Sequence, residues 1–200
     1  MLDRMIPYYN IICKCDRYCP VDAPLPLGLR IRTWQPGDEK AWARLEYAIG
    51  DFPSPEEAET YFVSHYLKQP KEAEKRCFFV VTERNEAIAS CIAWRDRKGA
   101  QTVASLHWLV VAPEQQGKKI GKALCRHVLD AYNDWGEFPV YLHTQPWSYV
   151  ALLLHLRQGF QVQKTDTFAQ YENQYTQAID TLQSLLPPAQ WQELLLHTDP

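Results

Sequence analysis

The alternation of apolar and polar residues is clearest in the middle of the chain, where a predicted strand precedes a predicted helix. Residues 106–111 are an apolar run rich in β-branched and aromatic side chains, which predicts a buried strand. Pro113 ends this run, because proline cannot continue a central ladder. Apolar residues then recur three or four apart at Ile120, Leu124 and Val128, which predicts the buried face of a helix. The pattern therefore predicts a strand, a short turn and a helix at the centre of the chain.

Similar patterns predict further elements on both sides of this unit. Ser54 followed by Pro55 and two acidic residues is typical of a helix start. Two apolar segments on either side of Asn85 predict a β-hairpin. In chain order, the predicted elements are a strand at 29–34, helices at 38–49 and 55–68, strands at 77–83, 87–95 and 106–111, a helix from 120, a strand at 140–144, a helix at 148–158 and a strand at 161–171.

Two segments lie outside this series of elements. Residues 1–28 contain four prolines, which disfavour a long helix, but they are too apolar for a disordered tail. We therefore expect an N-terminal extension packed on the surface of the core. Residues 171–200 predict one or two amphipathic helices divided by Pro187 and Pro188, which pack on the core or on a second subunit of a homodimer. The predicted domain between these segments covers residues 29–170.

Composition excludes several classes of protein. The net charge is −3 with both signs mixed along the chain, so no basic field suggests a nucleic acid partner. No apolar run approaches the ~20 residues of a membrane helix, and the first ten residues lack the apolar stretch of a signal peptide. We therefore expect a cytoplasmic protein with no membrane partner. In the cytoplasm, cysteines are expected to be free thiols. The spacing of Cys13, Cys15 and Cys19 does not match the common zinc patterns, so no metal is expected.

The start of the central helix carries an unusual set of charges. Lys118, Lys119 and Lys122 lie at the positive end of the helix dipole, where cations are disfavoured unless an anion is bound among them. Gly117 and Gly121 leave the backbone of this turn accessible, and a helix start of this kind commonly binds phosphate. The alternative is a solvated basic patch with no ligand.

This stretch resembles a known family. A strand, V-x-P and then Q/R-x-x-G-x-G/A at a helix start resemble the acyl-CoA signature of the GNAT N-acetyltransferases. The resemblance implies that acetyl-CoA is the co-substrate, with its pyrophosphate on the turn and its pantetheine arm on the preceding strand. Lys119 departs from the pattern, because the family has glycine there. The residues implied for CoA binding are Leu109, Val110, Val111, Gln116, Gly117, Lys118, Lys119, Ile120, Gly121, Lys122 and Ser148.

A second motif supports the same resemblance. The segment ALLLHLRQGF, residues 151–160, resembles the family's closing helix, A-x-x-L-Y-x-x-x-G-F. The predicted order β-α-α-β-β-β-α-β-α-β over residues 29–170 is also the family's layout. The resemblance therefore implies an α/β (α+β) fold with a mixed, mostly antiparallel sheet flanked by helices.

Three histidines are candidates for acid or base catalysis, because imidazole exchanges protons near neutral pH. His107 stands where arylalkylamine-acetylating members of the family have a proton-accepting histidine, although a core histidine would look the same. His155 takes the place of the family's tyrosine, which protonates the CoA thiolate, or it only lines the pocket. His143 is an alternative base or an acceptor contact. Ser148 replaces an asparagine near the pantetheine, or it is the N-cap of the last helix.

The resemblance implies an N-acetyltransferase that passes acetyl from acetyl-CoA to a primary amine of a small molecule or peptide by direct attack, with histidine acid/base assistance. Acidic residues from Asp51 to Glu59 could attract a cationic amine, and aromatic residues such as Trp108 could line the acceptor site, although an exposed helix start and core packing explain them too. Two alternatives stay open. One is an acyl-CoA sensor without chemistry, and the other is an interaction protein that works through its flanking segments.

Overall fold

The computed structural model describes residue 3 and residues 5–199 of the 200-residue chain. Seven strands and seven α-helices lie within these described residues. The strands are β1 (Ile11–Cys15), β2 (Leu29–Thr33), β3 (Cys77–Thr82), β4 (Ala87–Lys98), β5 (Gln101–Val111), β6 (Val140–Thr144) and β7 (Gln161–Val162). The helices are α1 (Asp38–Ile49), α2 (Pro55–His65), α3 (Pro70–Arg76), α4 (Ile120–Asp134), α5 (Tyr149–Leu156), α6 (Tyr175–Leu185) and α7 (Pro188–Leu196).

The strands form one mixed sheet in the order β2-β3-β4-β5-β6-β1-β7. The pairs β2/β3, β3/β4, β1/β6 and β1/β7 are antiparallel, whereas β5 and β6 are parallel. The predicted α/β fold with a mostly antiparallel sheet is therefore confirmed. The predicted order of elements is also present, with the short helix α3 as an addition between α2 and β3.

The chain divides into two compact units. The first unit contains Asp22–Trp94 and His107–Val128, and the second contains the described residues of Asp3–Val21, Arg95–Leu106 and Leu129–Pro200. The long strands β4 and β5 each contribute residues to both units.

The first unit has an aromatic core beneath α1 and α2. Trp42, Phe62, Tyr66 and Phe79 are each at most 1% exposed and pack in one cluster. The helix start predicted at Ser54 is present: the Ser54 hydroxyl accepts a hydrogen bond from the third following backbone N–H at 3.2 Å. These contacts fix the two helices that border the candidate site of this unit.

The second unit takes part of the N-terminal extension into its sheet. β1 pairs with both β6 and β7, and Ile11, Ile12 and Cys13 are at most 2% exposed. The apolar run that is unsuited to a disordered tail is thus a buried strand and does not lie along the surface of the core. The division into an extension, a domain at 29–170 and a helical tail stays a prediction.

The strand predicted at 161–171 is wrong beyond Val162. Asn173 donates side-chain hydrogen bonds to the carbonyl oxygens of Gln163 and Asp166, at 2.8 and 2.9 Å. These bonds satisfy backbone groups that a longer strand would place in a ladder, because short polar side chains compete with secondary structure. The segment instead ends in a tight turn from Phe168 to Tyr171.

The tail is predicted to form one or two helices, and it forms two, α6 and α7, on either side of Pro187. Among the described residues, no helix combines the length and the apolar character needed to cross a membrane.

Candidate active site

The turn between β5 and α4 presents a row of backbone N–H groups at the helix start. Within the described residues, the N–H groups of residues 117–122 have no intramolecular hydrogen-bond partner. The first bond of the helix runs from the Ala123 N–H to the Lys119 carbonyl oxygen, at 3.1 Å. Gly117 has φ +77°, a left-handed conformation in which glycine pays no Cβ penalty. The turn is therefore shaped as an anion site.

The lysines of this turn are held by short contacts. Lys118 Nζ donates to Gln115 Oε1 at 2.9 Å, and Lys122 Nζ donates to the Asp22 carbonyl oxygen at 2.9 Å. Lys119 is exposed. None of these contacts is with a carboxylate, so the positive charges stay available to an anion.

Lys119 adopts a left-handed backbone, with φ +64°. This explains why the family's pattern has glycine here, since a side chain in this region costs roughly 1–2 kcal/mol. We expect Lys119→Gly to raise the free energy of unfolding by about 1 kcal/mol, measured by urea denaturation. Lys118→Gly is the matched control, because it removes the same charge where φ is not positive. Equal changes in the free energy of unfolding for the two substitutions would contradict backbone strain at Lys119.

The end of β5 is tied to this turn. Gln116 Nε2 donates to the Val111 carbonyl oxygen at 3.1 Å, so this side chain braces the strand end. Val110 is 2% exposed and packs on α1, whereas Leu109 and Val111 are half-buried. Trp108 has φ +50°, which interrupts the extended backbone just before these residues. The predicted pantetheine segment thus begins directly after an irregular strand residue.

His107 is half-buried and makes a specific contact in the first unit. Its Nδ1 lies 2.9 Å from the hydroxyl of Tyr66, which is 1% exposed. Tyr66 packs edge-on against Trp94 with ring centroids 5.0 Å apart, which fixes the position of the phenol. The hydroxyl can accept a hydrogen bond from Nδ1 or donate one to it, so the contact can be kept when the protonation of the imidazole changes.

Four aromatic rings form a compact group in the first unit, and one of them, Trp108, directly follows His107 in the chain. Trp42, Phe52, Tyr61 and Trp108, here called the aromatic cluster, have centroids 5.3–6.1 Å apart in all pairs. Trp42 is fully buried, whereas the other three are half-buried and present part of each ring to the surface. The cluster therefore offers an apolar, aromatic face.

The acidic residues of α1 and α2 differ in their exposure to solvent. Glu56 and Glu57 are exposed in the first turn of α2, as expected of a solvated helix start. Glu46 of α1 is 1% exposed, and burial, followed by the nearby Asp51 carboxylate, raises the pKa of Glu46 well above its ordinary value. Burial therefore disfavours the charged carboxylate of Glu46.

In the second unit, His143 lies on β6 within an aromatic and polar group. Its Nε2 is 2.7 Å from Asn10 Oδ1 and 3.2 Å from Tyr8 Oη. Its ring stacks on Tyr171, with centroids 3.7 Å apart and an interplanar angle of 5°. Tyr8 also packs edge-on against Trp147 at 5.0 Å.

His155 and Ser148 lie on or beside α5. His155 is 5% exposed and packs edge-on against Phe160, and burial lowers the pKa of His155 from 6.5 to about 4. Ser148 occupies the N-cap position of α5 without a side-chain capping bond. Its hydroxyl instead accepts a hydrogen bond from Gln145 Nε2 at 3.1 Å.

Three cysteines of the described chain are buried thiols with raised pKa values. Among the residues with described coordinates, no group of three or more His, Cys, Asp or Glu could hold a metal ion. Burial raises the pKa of the Cys13, Cys77 and Cys91 thiols, which makes their thiolates scarce. Cys19 is the exposed thiol of the described chain.

Sequence reasoning missed two partners of the candidate histidines. Tyr66 is 41 residues from His107, and Asn10 is 133 residues from His143. No local spacing links such pairs. The sequence offered two weak signals. Tyr66 lies in an apolar segment, and Asn10 is a polar residue directly before an apolar run.

The mixed sheet and the turn between β5 and α4 define an α/β protein with a candidate anion site at a helix start. Comparison with known families then identifies the chain: it belongs to the acetyltransferase (GNAT) family, whose profile matches residues 41–160. Members of this family use acetyl-CoA as co-substrate. Comparison with curated proteins found no match.

Three solved structures show the shared fold. A GCN5-related N-acetyltransferase from Sphaerobacter thermophilus is 23% identical, with TM-score 0.57, over 78% of this chain and 49% of that chain. A GNAT-family acetyltransferase from Colwellia psychrerythraea is 14% identical, with TM-score 0.60, over 78% of this chain and 53% of that one. The ribosomal-protein-S18-alanine N-acetyltransferase from Escherichia coli is 22% identical, with TM-score 0.51, over 66% and 76%. The chain thus spans about half the length of the first two.

Proposed function

We propose that the protein transfers acetyl from acetyl-CoA to the primary amine of a small molecule by direct attack. The observation that carries this proposal is the turn at residues 117–122, whose N–H groups have no intramolecular partner within the described residues and lie among three lysines. A pyrophosphate supplies the oxygens that such groups bind. Family membership supports the same co-substrate.

The geometry of the first unit supports the following roles for the proposed CoA-binding residues. The N–H groups after Gly117 hold the pyrophosphate, and Lys118 and Lys122 add charge beside it. The Gln116 side chain keeps the turn against the strand end through Val111. The backbone of residues 109–111 pairs with the pantetheine arm.

His107 removes a proton during the attack. When Nδ1–H is donated to the Tyr66 oxygen, the lone pair of the imidazole is on Nε2. The amine nitrogen bonds to the thioester carbonyl carbon, its proton passes to Nε2 directly or through water, and the C–S bond breaks. The thiolate of CoA leaves and takes up a proton.

His155 is assigned to the leaving group, but as a neutral imidazole. With a pKa of about 4, only about one molecule in a thousand carries the imidazolium at pH 7. The N–H of the neutral ring can still donate a hydrogen bond to the departing sulfur. The stronger role, full proton donation by His155, stays a prediction.

The acceptor binds against the aromatic cluster. Phe52, Tyr61 and Trp108 present apolar ring surface, and burial raises the pKa of the Glu46 carboxyl, which disfavours its charged form. An amine attached to an aromatic or other apolar group is favoured by this surface over a highly charged polyamine.

The first test is calorimetric titration of the full chain with acetyl-CoA and with CoA. We expect micromolar binding that is weakened roughly tenfold by joint Lys118→Ala and Lys122→Ala substitution, since two charge-assisted contacts are lost. Lys71→Ala is the matched control, because Lys71 is an exposed lysine of the same unit. An equal loss in this control, or no binding by folded protein, would refute the phosphate site.

Turnover is then tested with phenylethylamine, spermidine and a short peptide, with mass spectrometric detection of the acetylated product. Detection by a thiol dye suffers from background from Cys19, which Cys19→Ser removes. Binding of acetyl-CoA without acetylation of any amine would favour the sensor. Absence of both would favour an interaction protein.

A further inference from the structure

A hydrogen-bond arrangement around His143 is not used by the proposed roles of His107 and His155. His143 lies opposite Ile12 of β1, and Asn10 precedes this strand by one residue. Asn10 Oδ1 is 2.7 Å from His143 Nε2, and the stacked Tyr171 fixes the plane of the imidazole. The hydrogen-bond partner of Nε2 and the orientation of the imidazole ring are therefore both defined.

Asn10 is itself clamped by the residue that precedes α6. The Asn10 N–H donates to Gln174 Oε1 at 2.9 Å, and the Gln174 N–H donates to the Asn10 carbonyl oxygen at 3.0 Å. This reciprocal pair holds the backbone of Asn10 on both sides. Both residues lie outside residues 41–160, the segment that matches the family profile. The clamp is therefore built by the flanking segments of this chain.

We propose that Asn10 is a positioning residue that holds His143 as the tautomer protonated on Nε2. An amide oxygen only accepts hydrogen bonds, so the hydrogen between the two atoms belongs to Nε2. A neutral imidazole carries a single N–H, which leaves the lone pair on Nδ1. Tyr8 Oη, at 3.2 Å from Nε2, is a second and longer contact of the same nitrogen.

This inference rests on the proposed function and gives His143 a defined part in it. An amine acceptor in its ammonium form must lose one proton before it can attack a thioester. Nδ1 of His143 is the ring nitrogen that can accept a proton, and the amide oxygen of Asn10 stabilises the imidazolium that results. The role of Asn10 is indirect, because it acts on the proton acceptor and not on the substrate.

The test is nitrogen-detected NMR of the histidine side chains in the full chain, without substrate. Assignment of His143 by comparison with His143→Gln is expected to show Nε2–H and an unprotonated Nδ1. Asn10→Asp should keep this tautomer and move the titration midpoint of His143 upward by roughly one unit, because a carboxylate favours the imidazolium. Asn10→Leu should abolish the tautomer preference. Tyr8→Phe is the matched control and should keep it.

The pH dependence of kcat/KM gives an independent readout. Asn10→Asp should move the acid limb of the profile upward by the same amount as the NMR titration, which a merely structural role would not do. An Nδ1–H tautomer in the unsubstituted protein, or unchanged spectra in both Asn10 variants, would overturn the proposal. The expected tautomer without turnover of any amine would support the positioning role and count against acetyl transfer.

Discussion

Replacing His107 by glutamine is expected to lower kcat by roughly 10²- to 10⁴-fold, the usual contribution of a general base. Glutamine keeps the approximate size and a hydrogen-bonding group for Tyr66, 2.9 Å away in the native contact, but it cannot accept the amine proton. The affinity for acetyl-CoA should not change, because the turn at 116–122 that is proposed to bind the pyrophosphate is left intact. The measurement is kcat across the pH range, together with a calorimetric Kd for acetyl-CoA.

Two further variants separate catalysis from packing. Tyr66→Phe keeps the buried ring and removes the hydroxyl that contacts Nδ1, so it should reduce kcat less than the loss of the imidazole does. His127→Gln is the matched control, because His127 is an exposed histidine of α4 in the same unit. Full turnover by the His107 variant at every pH would assign the base role to another residue, with His143 as the next candidate.

Elements defined by neighbouring residues could be predicted from the sequence. The cap at Ser54, the hairpin around Asn85 and the helix from Ile120 each depend on contacts within a few residues along the chain. Asn85 has φ +63°, which the hairpin needs and asparagine tolerates. Local chemistry was sufficient for these elements.

Elements defined by distant partners could not be predicted in the same way. β1 is stabilised by pairing with β6 and β7, which are more than 120 residues further along the chain. In the segment after Val162, the side chains of Asp166 and Asn173 satisfy the backbone and end the strand. The spacing of apolar residues along the chain indicates neither which strand β1 pairs with nor which side chains compete for the backbone after Val162.

The candidate site shows the same division. The turn at 116–122 is a continuous segment, so its glycines and lysines indicate an anion site directly. The left-handed conformation of Trp108 has no signal in the sequence, since tryptophan is an ordinary strand residue. Tyr66 and Asn10 reach their histidines only through the fold.

The buried His155 is expected to make the protein sensitive to mild acid. Burial lowers its pKa from 6.5 to about 4, so between these values the unfolded chain binds a proton that the folded protein does not. The stabilisation is fully present above pH 6.5 and is lost as the pH falls towards 4. At 1.36 kcal/mol per unit, the loss amounts to about 3 kcal/mol.

His155→Leu should remove this pH dependence, because leucine fills a similar buried volume beside Phe160 without a titrating group. The quantity to measure is the free energy of unfolding of both proteins by urea at a series of pH values from 7 to 4. The native protein should lose about 3 kcal/mol more than the variant over this range. His127→Leu is the control, because it makes the same replacement at a histidine that is exposed rather than buried.

The difference between the two proteins is the decisive quantity, because Glu46 acts in the opposite direction. Burial and the Asp51 carboxylate raise the pKa of Glu46, so its contribution to stability decreases as the pH rises. This contribution is the same in both proteins and cancels in the difference. Parallel curves for the native protein and the His155 variant would show that the imidazole is protonated in the folded state at mild acid pH, and such an imidazole would be available as a proton donor to the CoA thiolate.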